Sequence, residues 1–140
     1  MDFFTAADVV AQGLHAERTL MNTTSSNLAN ANTTRTAEGG PYKRLDPVFQ
    51  AQSMEKPFSS ELADAQGVQV SEIRADTREG RLVYDPSHPD ATAEGYVRMP
   101  NVNVVEEMVN MIEASRGYEA GVKAMGTLSQ MAERAIAIGK

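Results

Sequence analysis

Hydrophobic positions at the two ends of this chain recur in steps of three and four, and in the middle they do not. Near the N-terminus Phe3, Ala7, Val10, Leu14, Met21 and Leu28 keep this stepping, with Glu17 and Thr24 at the two remaining places in the stripe. Such spacing predicts an amphipathic helix with a narrow, heptad-like seam. Two polar residues in a seam weaken a lone helix but fix register when a partner is present. The helix is expected to stop near Asn30 to Asn32, because Asn27, Asn30, Asn32, Thr33 and Thr34 compete with the helix for backbone hydrogen bonds. Glu38-Gly39-Gly40-Pro41 then ends any helix.

Toward the C-terminus Val105, Met108, Ile112, Ser115, Tyr118, Val122, Met125, Leu128, Ala132 and Ala135 resume the stepping. They predict one helix of more than about 30 residues, roughly 45–55 Å long. Its start falls within Asn101 to Val104: Pro100 precedes it, and Asn103 with Glu106 three residues on has the spacing of a capping box. All 6 prolines lie between the two helical ends, from Pro41 to Pro100. In the middle, Val68, Val70 and Ile73 alternate on one side of the polar turn Asp76-Thr77-Arg78-Glu79-Gly80, and Arg81 to Tyr84 follow on the other, which predicts a hairpin. Tyr42 to Gln50 and Gly95 to Met99 are candidate short strands, confined to edges or ends by Pro47 and Pro100. Residues 51–66 have no clear period and read as a loop or a poorly ordered segment.

The fold class expected is therefore α+β, mainly α. Residues 1–34 carry the N-terminal helix, 35–100 a β-hairpin and loop region, and 101–140 the C-terminal helix. The helices pair as a coiled-coil-like hairpin around a small antiparallel β insertion. A seam buries its stripe only against another helix, and two helices with a small insertion leave much apolar face in water. That argues for packing between copies, through Val10, Leu14, Met21 and Leu28 on one helix and Val105, Met108, Ile112, Tyr118, Val122, Met125 and Leu128 on the other. Met108, Met111, Met125 and Met131 suit contacts that are similar but not identical, or are ordinary core fillers. Gly117, Gly121 and Gly126 either permit close helix approach or are tolerated weak points, and the second is the simpler reading.

Composition narrows the picture. Aromatics make up 6% of residues with no Trp, so a core must be thin or shared with neighbours. The net charge of -6 is spread along the chain, which argues against a nucleic-acid partner. No run approaches the roughly 18 apolar residues of a bilayer span, and no cleavable signal peptide is read, so direct membrane insertion is not expected. Cys is absent, which excludes disulfides and thiolate metal sites.

Candidate chemistry concentrates in Asp85-Pro86-Ser87-His88-Pro89-Asp90, two carboxylates, a hydroxyl and an imidazole close together. The stretch lacks the ligand spacing of a zinc or calcium loop, and its prolines fit a rigid polar turn. His15 stands alone on its helix and is expected at the surface. Ser25 and Ser26 have no nucleophile-elbow context, and Gly39-Gly40 leads into Pro41 rather than a phosphate loop. No active site, metal or cofactor is expected. The rival readings are a soluble coiled-coil adaptor and a small cell-envelope hydrolase using Asp85, His88 and Asp90.

The segment Ser26-Asn27-Leu28-Ala29-Asn30-Ala31-Asn32-Thr33-Thr34-Arg35-Thr36 resembles the signature of the axial proteins of the bacterial flagellum, the rod and hook subunits. Gly39-Gly40-Pro41-Tyr42, Val83 to Ala91, Ala93 to Val97 and Met99 to Ile112 are similar to the proximal-rod branch of that family. The matched positions include Asn27, Leu28, Asn30, Thr33, Thr34, Tyr84, Asp85, Pro86, His88, Pro89, Asp90, Pro100, Asn101, Asn103 and Glu106. The resemblance implies a non-enzymatic basal-body rod subunit, exported through the flagellar type III apparatus without a cleaved signal and built into the periplasm-spanning drive shaft. Its terminal helices would form the inner layer around the export channel, with the β region outside. The implied partners are further copies of itself, rod subunits of the FlgB, FlgF and FlgG types, the FliE adaptor and the export apparatus. Gly121 and Gly126 depart from the family, in which these places commonly carry Asn or another good hydrogen bonder.

Overall fold

The computed structural model describes residues 3–53 and 66–139. Helix α1 (Phe3–Ala29) is followed by β1 (Leu45–Ser53), β2 (Gln66–Ala75), β3 (Leu82–Tyr84), β4 (Tyr96–Arg98) and helix α2 (Val104–Ile138). The helices pack side by side, and β1 and β2 also contact α1. A Cβ built on Gly117 would meet the Glu17 carboxylate at 2.5 Å, and one on Gly121 would meet Leu14 Cδ2 at 2.8 Å. With Asn27 bonded to Glu107 at the other end, α1 and α2 run antiparallel. The α+β class and the helical hairpin around a small β insertion are as the sequence predicts.

The helix ends follow local chemistry. α1 gives way to turns at Asn30, where Asn30 Nδ2 donates to the carbonyl of Ser26 and Thr33 Oγ1 donates to Asn30 Oδ1. These side chains substitute for the next helical bonds. α2 spans 35 residues behind its cap Asn103, whose Oδ1 accepts from the backbone N–H groups of Val105 and Glu106.

Strand pairing corrects one expectation. The runs on either side of residues 76–80 do not pair with each other: β2 pairs antiparallel with β1 from Leu45↔Ala75 to Ser53↔Gln66, and β3 pairs antiparallel with β4. The turn itself is held elsewhere. Asp76 Oδ1 accepts from the N–H of Arg78, and Asn101 Nδ2 donates to the carbonyls of Asp76 and Arg78. That leaves β3 to find its partner across residues 85–95. β1 also runs past the expected end at Gln50, and residues 51–53 and 66 are strand rather than loop; the rest of that stretch lies outside the described residues. Pro47 fits inside β1 because each strand of a two-stranded ribbon has a free edge. The register then shifts at Val48/Phe49, opposite Ser71, and Ser71 Oγ donates to the carbonyl of Val48.

The ribbon lies along α1. Its Leu45 end bonds to Asn27, and its far end brings Gly67 against the Gln12 side chain, so close that a Cβ there would overlap it. Eight strand steps cover roughly 26 Å and fifteen helical steps roughly 23 Å, so ribbon and helix keep pace. α1 therefore has two working faces, one for α2 and one for the ribbon. Among the described residues the buried apolar side chains are few, Ala16, Ala31, Pro47, Val97, Pro100 and Ala114, while Thr23, Thr24, Asn27 and Glu107 are buried polar groups. Thr23 is accommodated by donating its hydroxyl to the carbonyl of Thr19.

The seam on α2 also differs from the apolar reading. Glu107 and Ala114 are buried and Met111, Tyr118, Gly121, Met125 and Leu128 half-buried, whereas Val105, Met108, Ile112 and Val122 are exposed. The face against α1 is thus built from a charge, small residues and only a few large apolar ones. Gly117 and Gly121 are close-approach positions and not simply weak points. Gly126 has nothing within 4 Å of a built Cβ. Gly126→Ala is therefore expected to stabilise the chain by about 0.5–1 kcal/mol, raising its melting temperature by a few degrees in a calorimetric scan. A lower melting temperature would show that Gly126 has a backbone role.

Candidate functional site

The most developed polar constellation sits where the last turn of α1, the entry to β1, the 76–78 turn and the first turn of α2 meet. Asn27 is 1% exposed and uses its whole amide. Its Nδ2 donates to the carbonyl of Leu45 at 2.8 Å and to Glu107 Oε2 at 3.0 Å. Its Oδ1 accepts from the N–H of Leu45 at 2.8 Å and from Tyr42 Oη at 3.0 Å. Glu107, also 1% exposed, receives Arg44 Nε on Oε1 at 2.5 Å. The same guanidinium reaches Asp46 at 3.1 Å, and the N–H of Arg44 donates to Asn101 Oδ1 at 2.7 Å.

Electrostatics follow burial. Desolvation, and then the negative charge of Glu107, push the Tyr42 hydroxyl above its ordinary pKa. Desolvation alone would lower Arg44, but the hydrogen bond and charge of Glu107, with Asp46 adding to them, outweigh it and hold the guanidinium up. A buried carboxylate is tolerable only when paired and hydrogen-bonded, and Glu107 is both. In the exposed turn nearby, hydrogen bonds from Arg78 hold Asp76 down to about 2.

A second cluster ties the Asp85–Asp90 loop to the chain leaving α1. Asp90 accepts Thr34 Oγ1 at 2.8 Å and pairs with Arg35 Nε at 3.1 Å. Asp85 Oδ1 accepts from the hydroxyl and N–H of Ser87, whose hydrogen bonds lower its pKa. His88 Nδ1 accepts from the N–H of Asp90. The trio considered for hydrolysis is thus engaged in local turn bonds and in the tie to Thr34 and Arg35. No group of three metal-ligating side chains occurs among the described residues.

Several matched positions thereby acquire places. Asn27 and Asn101 are linked through Glu107 and Arg44; Thr34 meets Asp90; Asn103 caps α2; Asn30 and Thr33 shape the exit from α1. Pro100 is buried beside Gly80. Tyr84 stacks edge-on against Tyr96 at 5.3 Å, with Pro86 packed against Gly95, which has φ +84°. Leu28 is half-buried, Glu106 and Pro89 are exposed, and His15 is exposed on α1. Three members of the junction, Tyr42, Arg44 and Glu107, were not singled out by sequence reasoning. Glu107 shares the three-four stepping of Met111, Ala114 and Tyr118, the signal that marks it.

Opposite the junction, α2 presents a second apolar face. Val105, Met108, Val109 and Ile112 are between 48% and 70% exposed. At about 100° per residue their centre lies roughly half a turn from that of Glu107, Met111 and Ala114. The first turns of α2 are therefore apolar on one side and locked to α1 and β1 on the other. Val10, Leu14, Met21 and Leu28 are half-buried on α1, and Leu14 faces Gly121. No helix among the described residues is long and apolar enough to cross a membrane.

Comparison with known proteins matches both ends of the chain. Residues 8–35 match the model described as "Flagella basal body rod protein", and residues 93–138 match "Flagellar basal body rod FlgEFG protein C-terminal". The flagellar basal-body rod protein FlgC of Aquifex aeolicus is 45% identical, over 96% of this chain and 95% of its own length. FlgC of Bacillus subtilis is 42% identical with both chains covered in full. FlgC of Borreliella burgdorferi is 40% identical over 99% of this chain and 98% of its own.

Proposed function

The chain belongs to the FlgC family of flagellar basal-body rod proteins, and from that premise we propose that it is a structural subunit of the proximal rod, built into the basal body through α1 and α2. In that place it contributes to the drive shaft that transmits motor torque and to the wall of the export channel. Its neighbours are further copies, rod subunits of the FlgB, FlgF and FlgG types and the FliE adaptor, and it is delivered by the flagellar type III apparatus. The observation that carries the reading is the outward apolar face of α2, together with similarity over nearly the whole chain.

Magnitudes favour many neighbours over one. Full burial of a large apolar side chain is worth about 1.5–3 kcal/mol, so covering four that are already half-covered gives roughly 3–6 kcal/mol. Association costs about 4–15 kcal/mol in lost freedom. A single pair through this face is weak, and a subunit held by several neighbours at once is stable.

The test is recovery of the epitope-tagged protein in basal bodies purified from its own cells. Stoichiometric recovery with the rod, and rods that fail to form in a deletion strain, are the expected results. Complete, rotating basal bodies in the deletion strain would overturn the proposal.

A further inference from the structure

The loop between β3 and β4 contains a hydrogen bond that one proton can break. His88 Nδ1 accepts from the N–H of Asp90 at 3.1 Å. A backbone N–H can only donate, so Nδ1 carries no proton in this arrangement, and the imidazole is neutral with its proton on Nε2. Pro89 between them has no N–H and a fixed φ, which makes Asp90 the first donor after the ring. Asp90 also ties the loop to the chain leaving α1. Its carboxylate accepts from Thr34 Oγ1 at 2.8 Å and pairs with Arg35 Nε at 3.1 Å. The backbone of Asp90 thus answers to His88 while its side chain holds the exit from α1.

We infer that this loop is a proton-operated latch on the exit from α1, closed while His88 is neutral and released when its imidazole is protonated. Protonation makes both ring nitrogens donors, and an Nδ1–H then confronts the Asp90 N–H. The ring must turn away, and the surrounding charges say where it goes. Asp85 and Asp90 lie on its own loop, Arg35 comes from the α1 exit, and Arg98 of β4 lines the cleft beside Asp90. Arg35 is paired with Asp90 and Arg98 with Glu79, which leaves Asp85 as the carboxylate without a cation among the described residues around the ring. Asp85 already senses His88: the hydrogen bonds of Ser87 chiefly, and then the charge of His88, hold its carboxyl below the ordinary range. A carboxyl group ordinarily titrates near pH 4 and an imidazole near about 6.5, so between roughly pH 7.5 and 5.5 the carboxylates stay charged while an imidazole changes. The latch belongs to the folded chain itself and stands apart from the rod reading.

Nuclear magnetic resonance of the isotopically labelled full-length chain reads the latch directly. At about pH 7.5 the ring nitrogens of His88 should show Nδ1 without a proton. On lowering the pH to about 5.5 the ring should titrate, and the Asp90 amide should lose about tenfold in exchange protection, corrected for the intrinsic rate. Amide signals of Thr34 and Arg35 should move with the same midpoint. His88→Asn, whose Oδ1 can accept an N–H two residues on and does not titrate, should keep Asp90 protected at both pH values, and His88→Ala should leave it unprotected at both. A proton on Nδ1 at the higher pH, a ring that stays neutral at the lower one, or Asp90, Thr34 and Arg35 signals that stand still while the ring titrates would each overturn the latch. So would loss of Asp90 protection with falling pH in His88→Asn, since the titrating group would then lie elsewhere; the other of the 2 His, His15, is exposed on α1.

Discussion

Replacing Arg44 with alanine is expected to cost about 3–5 kcal/mol of folding free energy, because it strands the Glu107 carboxylate in a buried site without its cation. Glu107 is 1% exposed, and only Asn27 Nδ2 would remain on it. The loss is large against the roughly 5–15 kcal/mol that holds a domain of this size. The wild-type pair need not itself stabilise the fold by that amount, since desolvating two charges offsets most of their attraction. Arg44→Met combined with Glu107→Leu, which removes both charges and keeps volume, should therefore be much milder than Arg44→Ala. Urea unfolding followed by circular dichroism measures both. If Arg44→Ala shifts the midpoint by less than the double variant does, the junction is not an interlocked charge site.

Asn27→Ala should fall between these variants. It removes the acceptor of the Leu45 N–H and of the Tyr42 hydroxyl and one donor to Glu107, and each buried group left unsatisfied costs about 1–3 kcal/mol. What the junction accomplishes is orientation. A thin core gives the helices and the ribbon few apolar contacts by which to find one arrangement, and directional bonds from Asn27, Arg44 and Asn101 supply it instead.

Much of the framework was legible because period and punctuation report backbone propensity. Both helices, the exit from α1 at Asn30 and the Asn103 cap follow from stepping and from side chains that compete with or cap helical bonds. Strand pairing was not legible. β2 and β3 are adjacent in sequence with a plausible turn between them, and the decision against that hairpin is made by Asn101, which claims the carbonyls of the turn from a distant segment. The face of α2 that meets α1 was not legible for a related reason. Counting apolar residues selects Val105, Met108 and Ile112, whereas the buried face contains a glutamate whose cost is covered by Arg44 and Asn27. A charge in a seam becomes recognisable only when its partners, more than sixty residues away in sequence, are known.

The division of α2 into an inward and an outward face separates two substitutions that the apolar pattern alone treats as equivalent. Leu14 faces Gly121 inside the helical hairpin, so Leu14→Asp should destabilise the monomer itself by at least about 2 kcal/mol, through lost burial and a carboxylate set beside Glu17. Glu17 already has its pKa raised by burial, and a second acid there adds like-charge repulsion. Met108 is 53% exposed on the outward face, and Met108→Asp should leave the monomer's unfolding midpoint within about 0.5 kcal/mol of wild type. In the assembly the same carboxylate meets a neighbour's apolar surface, where burying it unpaired costs several kcal/mol. Cells carrying Met108→Asp should therefore make normal amounts of folded protein and no rods, and cells carrying Leu14→Asp should make little stable protein. Swimming in soft agar, protein abundance and urea midpoints together separate the two cases. Normal swimming with Met108→Asp would remove the outward face of α2 from the assembly, and a wild-type midpoint for Leu14→Asp would remove Leu14 from the seam.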